Sequence, residues 1–390
     1  MRNLNRSVVL PCLCLLASAT TSSAFQTQKV SVKLTNPLAI ARESETISMP
    51  WATVVAALPA AAPNRVRVRD ALSEQPVLSQ VLDADADGRA DSLLFQVSFG
   101  PREVKRVVIE PLAPDSNPAR VHVKFVPDRE DVAWESDRIA FRTYGKKLWE
   151  LENLHTNGID VWPKRTRALV LDKWYAKGHD GYHVDTGEGA DFYQVGPTLG
   201  TGGTAIWKNE TLYRGDNFLN HRIIADGPVR AIFELEYGAV DAAGTKVTER
   251  KRVSIDAGQH FFKQQSTFTS DRAGELQIAI GLVKRPGMIG SSSKNRDWAW
   301  VTGWGPIEQR TQGHGDLGTA VLMSKAQLVD VREVENHYIA IGRVQPSVTL
   351  TNYVGAAWTS SRDVSKAEDW WQIVDNFAQR LIAPVIVRVE

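Results

Sequence analysis

From residue 28 to 127 one pattern recurs: short runs with an apolar side chain at every second position, broken by Gly, Pro, Asp or Asn. Val30, Val32 and Leu34 alternate, as do Val66 and Val68, and 93–99, 107–112 and 121–126 continue the series. Period two places alternate side chains on opposite faces of a strand. Short strands with regular turn signals therefore predict a β-sandwich over 25–127. The alanine-rich stretch 56–62, closed by Pro63, reads as a loop or single turn. Strand-like runs then recur to the end, at 138–144, 167–171, 205–207, 230–237, 248–255, 261–269, 276–282, 319–323 and 337–342. That is more strand than one ordinary sandwich holds, so two large sheets packed face to face, a supersandwich, are expected over 128–390. One helix stands out. Ser365 and Glu368 have capping-box spacing, and Trp370, Val374, Phe377 and Leu381 follow at helical intervals up to Pro384. The expected fold is all-β: a small N-terminal β-sandwich, a large β-supersandwich and one C-terminal helix.

The first 24 residues stand apart. Arg2 and Arg6 precede an apolar run at 8–17, and Ser22-Ser23-Ala24 offers a small-residue exit, which reads as a cleaved signal peptide. A periplasmic or secreted location follows as the expectation. Neither Cys12 nor Cys14 follows the small residue that a lipidated cysteine needs, so a lipoprotein is not expected. No later run is long and apolar enough for a spanning helix, so integral membrane association is not expected. Both cysteines lie in the leader, so the processed chain cannot use disulfides, thiol nucleophiles or thiolate metal ligands. Loss of Arg2 and Arg6 leaves basic and acidic side chains nearly balanced, and such a chain has no cationic surplus for nucleic acid.

The run Asp83, Asp85, Asp87, Gly88, Asp91 matches the opening of a calcium loop, but Leu94 stands where a bidentate glutamate belongs. It reads either as a tight Asp/Gly turn held by bonds to its own backbone or as a weak structural calcium site. No cofactor is otherwise required.

Chemistry-bearing residues crowd into 157–221. The stretch 179–196 holds His179, His183, Asp185, Glu188, Asp191, Tyr182 and Tyr193 among four glycines. Just before it, Trp162 is followed by Lys164 and Arg165, with His155 a few residues upstream. Just after it come Trp207, Arg214, Asp216 and His221. Cations beside an aromatic ring and an acid–base cluster suit an acidic sugar, because a guanidinium grips a carboxylate while a ring stacks on the pyranose. Twelve tryptophans add stacking surface, and Trp298, Trp300 and Trp304 sit among Gly, Ser and Asn, a loop-like composition. His314, near Arg310, could reach the same site.

The cluster is open to three chemistries. His179, His183 and Asp185 or Glu188 could ligate a metal, although no third histidine is near. Two of Asp185, Glu188 and Asp191 could form the carboxylate pair of a glycosidase. In the third reading His183 or a tyrosine removes the acidic proton beside a uronate carboxylate. Tyr182 or Tyr193 protonates the leaving oxygen, and Lys164 and Arg165 neutralise the carboxylate. Asp185 and Glu188 then orient the imidazole or bind hydroxyls, His179, Asp191, Arg214 and Trp300 contact the sugar, and Trp162 and Trp207 form stacking walls. The bland alternative is that the histidines are structural. The elimination reading uses most of the groups present.

The strings GIDVWPKR at 158–165, YHVDTGEGADFYQVGPTLGTGG at 182–203, GPVRAIFELEY at 227–237 and QVLDADADGRADSLLFQVSF at 80–99 resemble a family of secreted bacterial proteins encoded beside polysaccharide-degrading enzymes. The resemblance spans nearly the whole processed chain. It implies a galactose-mutarotase-like supersandwich behind a small sandwich, and action on uronate-containing oligosaccharides such as those dehydrated in ulvan breakdown. An oligosaccharide is thus the expected partner. A hydrolase, an epimerase or a non-catalytic sugar-binding protein remain the alternatives.

Overall fold

A computed structural model describes residues 29–116, 118–307 and 313–390. The expected leader, 1–24, and Arg310 lie outside them. The chain is an all-β sandwich protein in which every named strand pair is antiparallel.

In the first body a four-stranded sheet (order Ile386–Val389, Val30–Thr35, Val104–Glu110, Arg67–Asp70) faces a three-stranded one (Arg42–Pro50, Ser92–Phe99, Ser79–Leu82). Val32, Leu34, Phe95 and Val107 fill the space between them. Two assignments differ from the periodicity. Val121–Val126 pairs with Asp131–Ser136, so the expected boundary at 127 falls inside a hairpin of the second body. The closing strand Ile386–Val389 returns to pair with Val30–Thr35, tying the C-terminus to the first body. Alternation reports which faces are buried and is silent on which sheet a strand joins. The stretch 56–62 is loop and turn after its first two residues, which end a helix the periodicity did not show, α1 (Trp51–Ala57), pinned by Val54 and Leu58 in the sandwich core.

The second body packs an eight-stranded sheet against a five-stranded and a four-stranded sheet. One core joins all three, with Val253, Phe262 and Val354 from the large sheet, Ile278 and Ile280 from the five-stranded sheet, and Trp134 and Phe141 from the four-stranded sheet. Strand Trp298–Pro306 replaces the loop expected around Trp298, Trp300 and Trp304. The glycine there serves close packing, since a Cβ on Gly303 would meet the Met288 side chain at 3.0 Å. Trp300 and Trp304 are buried under the C-terminal helix with Trp370. Three further helices, α2 (Lys147–Glu152), α3 (Leu171–Tyr175) and α4 (Gly178–Tyr182), are too short to show a period. The expected C-terminal helix is α5 (Ala367–Ile382), which presents Trp370, Val374 and Ala378 to the outer face of the eight-stranded sheet. Its N-terminus is closed by Asp369, whose carboxylate accepts from the Ser365 amide and hydroxyl, and not by Glu368.

Two buried histidines link this fold to pH. His337 is fully buried, and its Nε2 accepts the Leu199 amide at 3.0 Å, so that nitrogen cannot take a proton without losing the bond. Burial pushes the imidazole down to about 4, and His260 falls to about 4 for the same reason. The unfolded chain therefore binds more protons than the folded chain between pH ~6.5 and ~4. The stability contributed is present in full above that window and is lost as pH falls through it, by about 3 kcal/mol for each imidazole. In urea titrations at stepped pH, His337→Gln is expected to show a shallower acid slope than the parent protein. Parallel slopes would contradict this reading of His337.

Candidate functional site

The segment from Val170 to Tyr182 lies across the outer face of the four-stranded sheet. Ala133, Ala140 and Trp162 on that face pack against Val170, Leu171, Trp174 and Tyr182 of the segment. Glu135 pins it from below. Its carboxylate accepts the Val170 and Leu171 amides at the start of α3 (2.8 and 2.9 Å) and the Lys164 ammonium (2.6 Å). Lys164 also donates to the Ser136 carbonyl and is entirely buried. It cannot hold a substrate carboxylate from there; it neutralises Glu135. Gly189 lets the chain after the segment return against Pro163: its φ is +103°, and a Cβ would lie 2.1 Å from the Pro163 carbonyl oxygen.

Beneath the segment three carboxylates converge on one guanidinium. Arg142 reaches Asp160 (2.6 Å) and Asp191 (2.7 Å), with Asp131 at 3.8 Å. Tyr144 and the Trp162 indole also donate to Asp160. Arg129 pairs with Asp131 and with Glu152, so the buried group has three acids against two guanidiniums. That imbalance favours the protonated form among the acids. Burial first, and then the neighbouring Asp160 charge, push the Asp191 carboxyl well above the usual range. Burial likewise pushes Asp131 up to about 6.

His183 sits at the rim of this buried group and is 41% exposed. Its Nδ1 is 2.8 Å from the Asp191 carbonyl oxygen, an atom that can only accept, so Nδ1 carries the proton. Nε2 is left as a lone pair, with no hydrogen bond among the described residues. Burial lowers the imidazole's pKa, and the Arg142 charge adds to this. The ring is thus neutral at neutral pH. The His179 ring lies 5.0 Å away and its Nε2 is 3.1 Å from Glu152. Tyr182, 4.8 Å from His183, is buried with its hydroxyl on Arg142, and its phenol is pushed up to about 12.

The loop from His183 to Asp191 carries the second half of the site. Asp185 accepts the Gly187 and Gly189 amides (2.8 and 3.1 Å) and pairs with Arg165. The Arg165 guanidinium lies over the Trp358 ring at 4.9 Å and is 37% exposed. Phe192, next to Asp191, stacks on His314 at 3.8 Å. The arrangement therefore offers a part-exposed imidazole on a glycine-hinged loop and, paired to that loop through Asp185, a guanidinium stacked on Trp358.

Several expected contacts lie elsewhere. Trp162 is sealed under Arg142. Tyr193 is buried beneath Arg285, with its hydroxyl bonded to Thr201. Trp207 is buried with Leu212 and Ile339 on the outer face of the five-stranded sheet, and Trp300 lies under α5. Glu188 pairs with Lys173, and Arg214 with Glu335. Arg214 lines a different cleft of about 610 Å³ with His155 and Asp216, which are 3.1 Å apart. Asp83, Asp85 and Asp91 bring ligand oxygens within 4.8 Å of one another. The loop's own amides also occupy these carboxylates, Gly88 bonding Asp83 and Ala84 bonding Asp91, while Asp87 bonds Arg89. Sequence reasoning passed over Arg142, Asp160 and Asp131. The signal was present as charged side chains inside strands otherwise apolar on both faces.

The fold and site thus define a two-body antiparallel β-sandwich protein with a histidine-bearing loop, paired to Arg165, over a buried carboxylate cluster. The chain belongs to the DUF4861 family, described as a domain of unknown function, whose model matches residues 34–387. It is 29% identical over 344 residues to an uncharacterized protein P7 of Formosa agariphila, covering 83% of this chain and 84% of that protein. Among solved structures it is similar to a glycosyl hydrolase family 38 protein from Enterococcus faecalis (TM-score 0.50, 10% identity, 94% of this chain and 48% of that one). It is also similar to an α-mannosidase from Enterococcus faecalis V583 (TM-score 0.47, 8% identity, 93% and 46%). The chain spans about half the length of these solved structures, and the likeness is one of fold.

Proposed function

We propose that the protein is an exported carbohydrate-active enzyme that acts on uronate-containing oligosaccharides by β-elimination. The observation that carries this is the His183–Asp191 hydrogen bond, which assigns the proton to Nδ1 and leaves a part-exposed imidazole with an unengaged Nε2 lone pair among the described residues. Abstraction of a proton α to a carboxylate needs such a base together with a cation to stabilise the enediolate. Arg165, stacked over Trp358 and paired with Asp185 of the His183 loop, supplies that cation. His183 Nε2 takes the C5 proton, the electrons pass through the enediolate, and the C4–O bond breaks. Tyr182 and Tyr193 are buried, so the same imidazolium returns the proton to the leaving oxygen in a syn elimination. The scheme uses only groups of this chain.

Glycoside hydrolysis, the chemistry named for the family 38 protein, needs one surface carboxyl that keeps its proton. Hydrogen bonds to the Gly187 and Gly189 amides and the Arg165 charge outweigh burial and hold Asp185 low, and Lys173 holds Glu188 low. Asp191, whose carboxyl burial pushes up, lies out of reach beneath the segment. Neither Asp185 nor Glu188 is held protonated, which supports the elimination reading.

Arg165→Gln is expected to lower kcat/KM for a uronate oligosaccharide by roughly tenfold or more, the loss of one charge-assisted contact that strengthens as the enediolate forms. A carboxyl-reduced version of the same substrate should not react with either protein. Equal turnover of the reduced oligosaccharide would refute the uronate reading.

A further inference from the structure

A cleft of about 360 Å³ opens on the outer face of the eight-stranded sheet, where that sheet meets the first body and α5. Four cations line it, and three are matched. Arg230 is held by Asp256 (2.6 and 2.8 Å), Arg252 by Glu234 (3.0 Å) and Arg380 by Glu45 (2.6 Å). The fourth, Lys263, makes no hydrogen bond or ion pair among the described residues. It stands in the middle of the sheet, between Ser254 and Tyr353 on the adjacent strands. Burial lowers its pKa, and the Arg230 and Arg252 charges add to this. The Asp256 charge offsets them in part, but that carboxylate is engaged by Arg230, so the ammonium has no anion of its own and is electrostatically incomplete. Beside it, the Tyr353 and Phe377 rings meet edge-on at 5.2 Å and form an aromatic wall.

We infer that this cleft is a second sugar-binding subsite, distinct from the His183 loop, in which Lys263 binds the carboxylate of a uronate residue and Tyr353 and Phe377 pack against its ring. An aromatic wall beside a cation matches a pyranose that carries an anion. The choice of a uronate rests on the function proposed above; the unmatched charge does not.

Isothermal titration with glucuronate, glucose and inorganic sulfate tests the assignment on the parent protein, Lys263→Met and His183→Ala. Glucuronate should bind the parent protein and His183→Ala alike, and should weaken roughly tenfold to hundredfold in Lys263→Met, the range for a lost charged hydrogen bond. Lys263→Met should keep or raise the melting temperature, because it relieves like-charge repulsion. Glucuronate binding untouched by Lys263→Met would overturn the subsite, even where His183→Ala abolishes turnover and the proposed function stands. Sulfate binding as tightly as glucuronate would overturn the sugar assignment.

Discussion

Glu135→Ala is expected to destabilise the protein by about 3–5 kcal/mol, the cost of breaking a buried ion pair from one side. Glu135 and Lys164 are both fully buried. Removing the carboxylate strands the Lys164 ammonium and frees the Val170 and Leu171 amides at the start of α3. Those amides join the site segment to strand Asp131–Ser136, so the loss should reach the loop that carries His183 as well as global stability. Lys164→Met should cost less than Glu135→Ala, because Glu135 keeps the two amides and the methionine fills the volume. Urea unfolding measures both, and a Glu135→Ala loss below about 1 kcal/mol, the range of exposed pairs, would contradict the burial described. Lys164 thus acts on the site by positioning it.

His183→Ala should lower kcat/KM on a uronate oligosaccharide by about 10²–10⁴-fold, the usual contribution of a positioned acid–base group. Stability should change little, since the imidazole is part-exposed and its one hydrogen bond is at the rim. The pH profile separates catalysis from folding. The active form is the neutral ring, so activity should be kept as pH falls to the ordinary imidazole range and lost only below it, because burial holds the His183 pKa low. In His183→Ala that limb should vanish from the residual rate. A limb unchanged by the substitution would assign the titration to another group.

The all-β class, the alternating strands of both bodies and helix α5 were legible because each has a period long enough to read. Strand partners were not: the C-terminal strand looks the same whether it closes the second body or the first. The loop from His183 to Asp191 was also legible, through its unusual mix of glycine, imidazole and acid. Which of its neighbours face solvent was not. Lys164 and Arg165 are adjacent in sequence, yet one is sealed against Glu135 and the other lies open over Trp358. Period two in an extended segment sends neighbours to opposite sides, and that consequence was available. The tryptophans misled for a different reason: composition marks them as stacking surface, but Trp162, Trp207 and Trp300 each sit beside a sheet that needed covering. Arg142 and Asp160 were hidden because a strand pattern registers alternation, while a buried charge cluster assembles from four distant segments.

The most direct measurement is ultraviolet absorbance during incubation with ulvan, pectin and alginate oligosaccharides, since a conjugated unsaturated uronate absorbs where its substrate does not. The account expects a time-dependent rise on at least one of these with the parent protein and none with His183→Ala. New reducing ends without that absorbance, or an undiminished rise in His183→Ala, would contradict it.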